Sequence, residues 1–111
     1  MSNASDPAPI FAALGDRTRL SLLGRLGGGE AQSITALSAG TRLTRQAVTK
    51  HLRVLERAGL VRALKQGRES RFALEPQRIA EARAYLDQVA RQWDEALVRL
   101  KAFVEDEEIF L

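Results

Sequence analysis

The residues with the greatest chemical reach stand close together. Thr44, Arg45, Gln46, Thr49 and Lys50 fall within seven positions, and Arg53 follows about a turn later. An Arg guanidinium bonds guanine through two hydrogen bonds, a Gln amide does the same with adenine, and a Thr methyl packs on thymine. Lys and Arg also neutralise phosphates, which supplies most of the sequence-independent affinity for a duplex. This is a set for reading nucleic acid. Catalysis finds no comparable set: no nucleophile stands with a base, and no Gly-rich loop opens a helix. Gly27-Gly28-Gly29 follows a helical stretch and acts as a stop. With no Cys, thiolate sites and disulfides are excluded, and with a single His (His51) no tight transition-metal centre is expected.

Charge concentrates around the same residues. From Arg42 to Arg71 there are nine basic side chains against two acidic ones, a net of +7. The whole chain carries +3, so everything outside that segment sums to −4. A localised positive field of this kind suits a polyanion. It also suits a solvated basic surface, so charge alone decides nothing.

The elements that position these groups follow from caps and breakers. Pro7 to Leu14 is expected to be a short helix with Ile10, Phe11 and Leu14 on one face. Asp16 is placed to cap a second helix, with Leu20, Leu23 and Leu26 turned inward and Leu22 beside them. Glu30 to Ser33 reads as a short strand, Ile34 to Ala39 as a short helix, and Gly40-Thr41-Arg42 as the turn after it. The helix over 44–58 has Thr44 as N-cap and Gly59 past its end. On a wheel of about 100° per residue, Ala47, Val48, Leu52, Val54, Leu55 and Ala58 share one sector with His51. Arg45, Gln46, Thr49, Lys50, Arg53, Glu56 and Arg57 fill the other side. His51 is read as a core-edge residue that bonds to a neighbouring helix, with a phosphate contact as the second reading.

Two strands follow, Val61 to Gln66 and Ser70 to Leu74, turning at Gly67-Arg68. Lys65, Arg68 and Arg71 make this hairpin basic, while Val61, Phe72 and Leu74 are suited to packing inward. Arg68 at the tip is within reach of a minor groove or a phosphate.

Pro76 can start the last helix, expected to run to about 106. Ile79, Leu86, Trp93 and Leu100 recur every seven residues, and Ala82, Val89, Ala96 and Phe103 fall three positions after each. That heptad stripe needs an apolar partner. A helix of this length spans roughly 45 Å, more than the small core of such a chain can cover. Leu86, Val89, Trp93 and Leu100 are therefore the candidate dimerisation residues. The acidic run Glu105-Asp106-Glu107-Glu108 reads as a solvated end. The expected architecture is mainly α with a small β-hairpin: residues 1–6 disordered, then one winged helix-turn-helix domain over 7–111, dimeric through its last helix. Ser2-Asn3-Ala4 resembles a tag-cleavage remnant, with Met1 before it leaving the point open.

The chain resembles the ArsR-type winged-helix repressors. Phe11-Ala12-Ala13-Leu14-Gly15-Asp16-Arg17-Thr18-Arg19-Leu20 carries the resemblance at the front, Val48-Thr49-Lys50-His51-Leu52-Arg53-Val54-Leu55 in the middle, and Ala58-Gly59-Leu60-Val61 before Gly67-Arg68. The resemblance implies a dimer that binds operator DNA and represses until a signal releases it. By position it places Thr44, Arg45, Gln46, Thr49 and Lys50 on the reading face and Arg68 at the wing tip. Metal-sensing members use a Cys pair in the third helix, or His and carboxylates on the last. Here the third helix reads Ile34-Thr35-Ala36-Leu37-Ser38-Ala39, and the last has no His. The tail around Trp93-Asp94-Glu95-Ala96-Leu97-Val98-Arg99-Leu100-Lys101 looks like a subgroup without a metal site, so no cofactor is expected.

Two functions compete at this point. One is a sequence-specific, cytoplasmic transcriptional regulator acting as a homodimer on double-stranded DNA, contacting it through Thr44, Arg45, Gln46, Thr49, Lys50, Arg53, Lys65 and Arg68. The other is a winged-helix module that binds protein and has a merely solvated basic face. No membrane partner is expected, and an inducer or partner protein is left open.

Overall fold

The computed structural model describes residues 6–109, with side chains described to residue 106. The expected disorder of residues 1–6, and the tag-like Ser2-Asn3-Ala4, lie outside the described residues except for Asp6, whose Oδ1 accepts from the Ala8 amide at 3.0 Å. The side chains of Glu107 and Glu108 also lie outside them.

Side-chain caps fix three successive helix starts. α1 (Ala8–Leu14) is followed by Asp16, whose carboxylate accepts from the Arg19 amide at 3.1 Å and opens α2 (Arg17–Arg25). Ser33 closes the two-residue β1 (Gln32–Ser33), and its Oγ accepts from the Ala36 amide at 3.1 Å to open α3 (Ile34–Ser38). Thr44 Oγ1 accepts from the Ala47 amide at 3.0 Å and opens α4 (Arg45–Arg57). Each cap satisfies an amide that a helix start leaves unpaired. At the other end of α4, Gly59 adopts φ +80°, a region an L side chain enters only with strain.

β2 (Val61–Gln66) and β3 (Glu69–Leu74) pair antiparallel, from Val61 opposite Leu74 to Gln66 opposite Glu69. Gly67 at φ +64° makes the turn. β1 adds to the far side of β3, with Gln32 opposite Phe72 and Ser33 opposite Arg71, giving the order β1-β3-β2. The hairpin is thus one edge of a three-stranded sheet.

The core lies where α2, α3 and α4 meet this sheet. Leu22, Leu26, Leu37, Val48, Leu52, Leu55, Leu60 and Phe72 are all essentially sealed from solvent. Leu20 corrects the expectation for α2: it is about half exposed, and Leu22 points inward in its place, with Leu26 buried and Leu23 half-buried as expected. Residues four apart diverge by about 40° on a helix, whereas 20, 23 and 26 step about 60° each time and sweep off the face.

α5 (Pro76–Ile109) is a single helix of 34 residues, about 51 Å long by the rise of an α-helix. It makes the molecule 74 Å in its longest dimension against 33 and 24 Å in the others. Its first turns join the core: Ala82 is buried and Ile79 half-buried. Phe11 of α1 meets Tyr85 with ring centroids 5.7 Å apart. Beyond that point Leu86, Trp93, Leu97, Leu100 and Phe103 are exposed. No helix among the described residues is long and apolar enough to cross a membrane.

Candidate nucleic-acid interface

The amphipathic division of α4 appears in three dimensions as the wheel arranges it. Val48, Leu52 and Leu55 are buried, while Arg45, Gln46 and Lys50 are exposed and Thr49 half-buried. Thr44, Arg45, Gln46, Thr49 and Lys50 line one open groove of about 670 Å³, with Ile34 of α3 on its other wall. Among the described residues, no hydrogen bond or ion pair engages the side-chain ends of Arg45, Gln46 or Lys50. Thr49 differs: its Oγ1 donates to the Arg45 carbonyl at 2.8 Å, which fixes its rotamer.

A second groove, of about 570 Å³, continues from the start of α4 to the hairpin. Arg45 and Arg68 both line it, so helix start and hairpin tip border one concavity. Thr35, Gln66, Glu69 and Ser70 line it as well. Thr35 and Gln66 are not among the residues that the sequence nominates. The strand alternation that puts Gln66 opposite Glu69 is readable there, but the placement of the hairpin against α3 is not. Among the described residues Glu69 is the one acid in this groove, and its carboxylate is held by Arg71 at 3.3 Å.

The remaining candidates differ from these. Arg53 is half exposed, but Nη1 lies 2.7 Å from Glu56 Oε1 and its guanidinium stacks over the Phe72 ring at 5.6 Å. It ties α4 to the sheet while keeping charge at the surface. Lys65 is exposed on β2, opposite Ser70.

The turn between α3 and α4 is fixed by side chains. Thr41 Oγ1 donates to the Ser38 carbonyl at 2.6 Å and accepts from the Leu43 amide at 3.2 Å. Arg25 donates to the carbonyls of Leu37 at 3.0 Å and Ala39 at 2.8 Å, a cation at a helix C-terminus where the dipole favours it. Arg78 of α5 donates to the Ala58 carbonyl at 3.2 Å and closes the end of α4. The pose of α4 is therefore held at both ends.

His51 Nδ1 lies 3.4 Å from Arg19 Nη1 and 3.9 Å from Asp16 Oδ1, joining α4 to the start of α2. The Arg19 amide bonded to Asp16 holds that carboxyl below its ordinary range; partial burial opposes this, and the charges of Arg19 and His51 add to it. Among the described residues no group of three or more acidic or His side chains is placed to hold a metal ion.

A short helix, a fixed turn, an exposed polar helix face and a basic hairpin beside it define a winged helix-turn-helix, a fold that lays one helix against a duplex. The helix-turn-helix domain family matches residues 14–63. An uncharacterized HTH-type transcriptional regulator of Bacillus subtilis (strain 168), YuzN, is 43% identical over 67 positions, covering 53% of this chain and 71% of that protein. The structure of an ArsR-like transcriptional regulator from Rhodococcus sp. RHA1 superposes with a TM-score of 0.75 at 35% identity, covering 86% of this chain and 90% of that one. The homodimeric winged helix-turn-helix DNA-binding domain of Mycobacterium bovis Mb0332, at 24% identity, shares the fold with a TM-score of 0.61, over 86% of this chain and 94% of that one. The chain belongs to the ArsR-type winged helix-turn-helix transcriptional regulators, which are DNA-binding proteins and not enzymes.

Proposed function

We propose that the protein is a homodimeric repressor that recognises a pseudo-palindromic operator. Thr44, Arg45, Gln46, Thr49 and Lys50 read the major groove, and Lys65 and Arg68 of the wing hold the flanking backbone. The observation that carries this reading is the groove shared by Arg45 and Arg68, which brings base-reading and phosphate-binding groups onto one surface. Arg53 contributes charge to that surface and releases Glu56 if it reaches a phosphate. Leu86, Val89, Trp93 and Leu100 meet the same residues of a second chain, and the symmetric pair presents two copies of α4 to two half-sites. The homodimeric state of the Mycobacterium bovis domain supports that arrangement for this fold. Repression rests on the family resemblance and on occlusion of the operator, and the cytoplasm is where such a protein meets its DNA.

Selection of bound sequences from random duplexes tests this. The expected result is a site with two-fold symmetry and half-site centres about one helical turn, roughly 34–36 Å, apart. Arg45→Ala combined with Gln46→Ala should remove about 1–3 kcal/mol of discrimination at each base that either side chain bonds bidentately, and leave non-specific affinity less affected. Unchanged base preference in that double variant would move the reading elsewhere. Failure to bind any duplex at low salt would leave the basic face as a protein-binding surface.

A further inference from the structure

A third groove, of about 460 Å³, shares no lining residue with the two beside α4. Its floor is apolar: Ala73 is buried, and Leu74 and Ile79 are half-buried against the core. Ala80 and Pro76 at the start of α5 extend that floor. Gly27 and Gly29 form a wall with no side chain to fill the space, and Gly29 sits at φ +86° with nothing within 4 Å of where a Cβ would stand. The size falls within the range of about 300–1,000 Å³ usual for small-molecule sites.

Two cations complete it. Arg62 of β2 and Arg83 of α5 both line the groove, and both are exposed. Among the described residues no acid lines it. Neither guanidinium makes an ion pair or hydrogen bond among the described residues. The arginines that hold the fold together behave otherwise: Arg25 bonds carbonyls, and Arg53, Arg71 and Arg78 bond carboxylates. Two unpaired guanidiniums from different elements, beside one apolar floor, form the complement of a molecule with one anionic head and an apolar body. A planar carboxylate accepts from guanidinium groups in parallel pairs, which an ammonium or an amide head cannot do.

We infer that this groove binds a small amphipathic monocarboxylate, its carboxylate between Arg62 and Arg83 and its apolar part on Leu74, Ile79 and Ala80. The site is independent of the proposed DNA surface, so its occupancy is measurable without any duplex.

Octanoate is the probe, titrated by calorimetry into the native protein, with octanamide as the uncharged counterpart. Saturable binding of one octanoate per chain is expected, at least tenfold tighter than octanamide. The combined Arg62→Gln and Arg83→Gln variant should lose at least tenfold in octanoate affinity. Both side chains are exposed and make no polar contact in the fold, so the variant should unfold at the native temperature. Arg91→Gln, on an exposed face of α5 outside the groove, should bind octanoate as the native protein does. Equal affinity for octanamide, or an equal loss in Arg91→Gln, would reduce the effect to apolar adsorption or general charge and overturn the site. No saturable binding at millimolar octanoate would overturn it too; that is the outcome if a second copy of the chain seals the groove.

Discussion

The head of the molecule and the outer part of α5 carry similar apolar residues in opposite circumstances. In the head, Leu22, Leu37, Val48, Leu52, Leu55 and Phe72 are closed off from water by three helices and a sheet. From Leu86 onward most of the large side chains of α5 are exposed, with Trp93 at 66%, Phe103 at 65% and Leu100 at 58%, while Val89 is half-buried. Leu20 apart, the head covers its own large apolar side chains. The outer helix does not, and contiguous apolar area of that kind marks an interaction site. The period of the stripe adds geometry: a repeat of seven keeps one seam facing a partner helix over many turns. In the proposed dimer the two regions thus differ in what stabilises them, the head by its own chain and the outer helix by another.

The largest expected effect tests that difference. Truncating a fully buried Trp costs about 3–5 kcal/mol, but Trp93 is exposed in one chain alone. Trp93→Ala should therefore leave the unfolding of a dilute monomer nearly unchanged and raise the dimer dissociation constant by at least about two to four decades, since each dimer loses two indoles. Sedimentation of native and variant protein at micromolar concentration measures it. A native protein that sediments as a monomer removes the comparison altogether. A variant that stays dimeric moves the interface towards α1, where Phe11 and Tyr85 already meet.

The reverse experiment sits in the head. Leu52 is fully buried on the inner face of α4. Leu52→Ala should cost about 2–5 kcal/mol of stability through reduced burial and a residual cavity. The cost should be independent of protein concentration, because the chain itself covers Leu52. Urea denaturation at two concentrations tenfold apart checks this. A difference in midpoint between Leu52→Ala and the native protein that changes with concentration would mean the head also depends on its partner.

Much of this division is legible in the sequence, and what is not has specific physical causes. Thr44 and Gly59 bracket α4 because one supplies an acceptor for a free amide and the other tolerates positive φ. The division of α4 into buried and exposed faces follows from periodicity alone. The heptad of α5 is equally plain, since nothing interrupts it over four repeats. Leu20 misleads because four leucines in seven positions allow two faces, and only the neighbours of α2 choose between them. The addition of β1 to β3 is hidden, because a two-residue strand has no alternation to read. Arg53 shows the same limit at the candidate site: its spacing places it with the cations, while its carboxylate partner at Glu56 and its seat over Phe72 depend on rotamer and sheet position.

The smallest expected effect lies at the hairpin tip, where the head meets solvent rather than a core. Arg68 follows Gly67 in the turn, is exposed, and lines the groove that Arg45 enters from α4. Nothing in the fold rests on its side chain, so Arg68→Ala should leave stability within about 0.5 kcal/mol of native. A long side chain at an exposed tip is poorly fixed for bidentate base recognition and well placed for a phosphate. A phosphate contact is felt equally by every sequence. Releasing one fewer counterion should make the slope of log affinity against log salt shallower by about one unit. The expected outcome is weaker binding to specific and random duplexes alike, with base preference intact. Fluorescence anisotropy across a salt series on both duplexes measures it. A slope that does not move takes the wing off the DNA, and a weakening confined to the specific duplex gives Arg68 a base-reading role alongside Gln46.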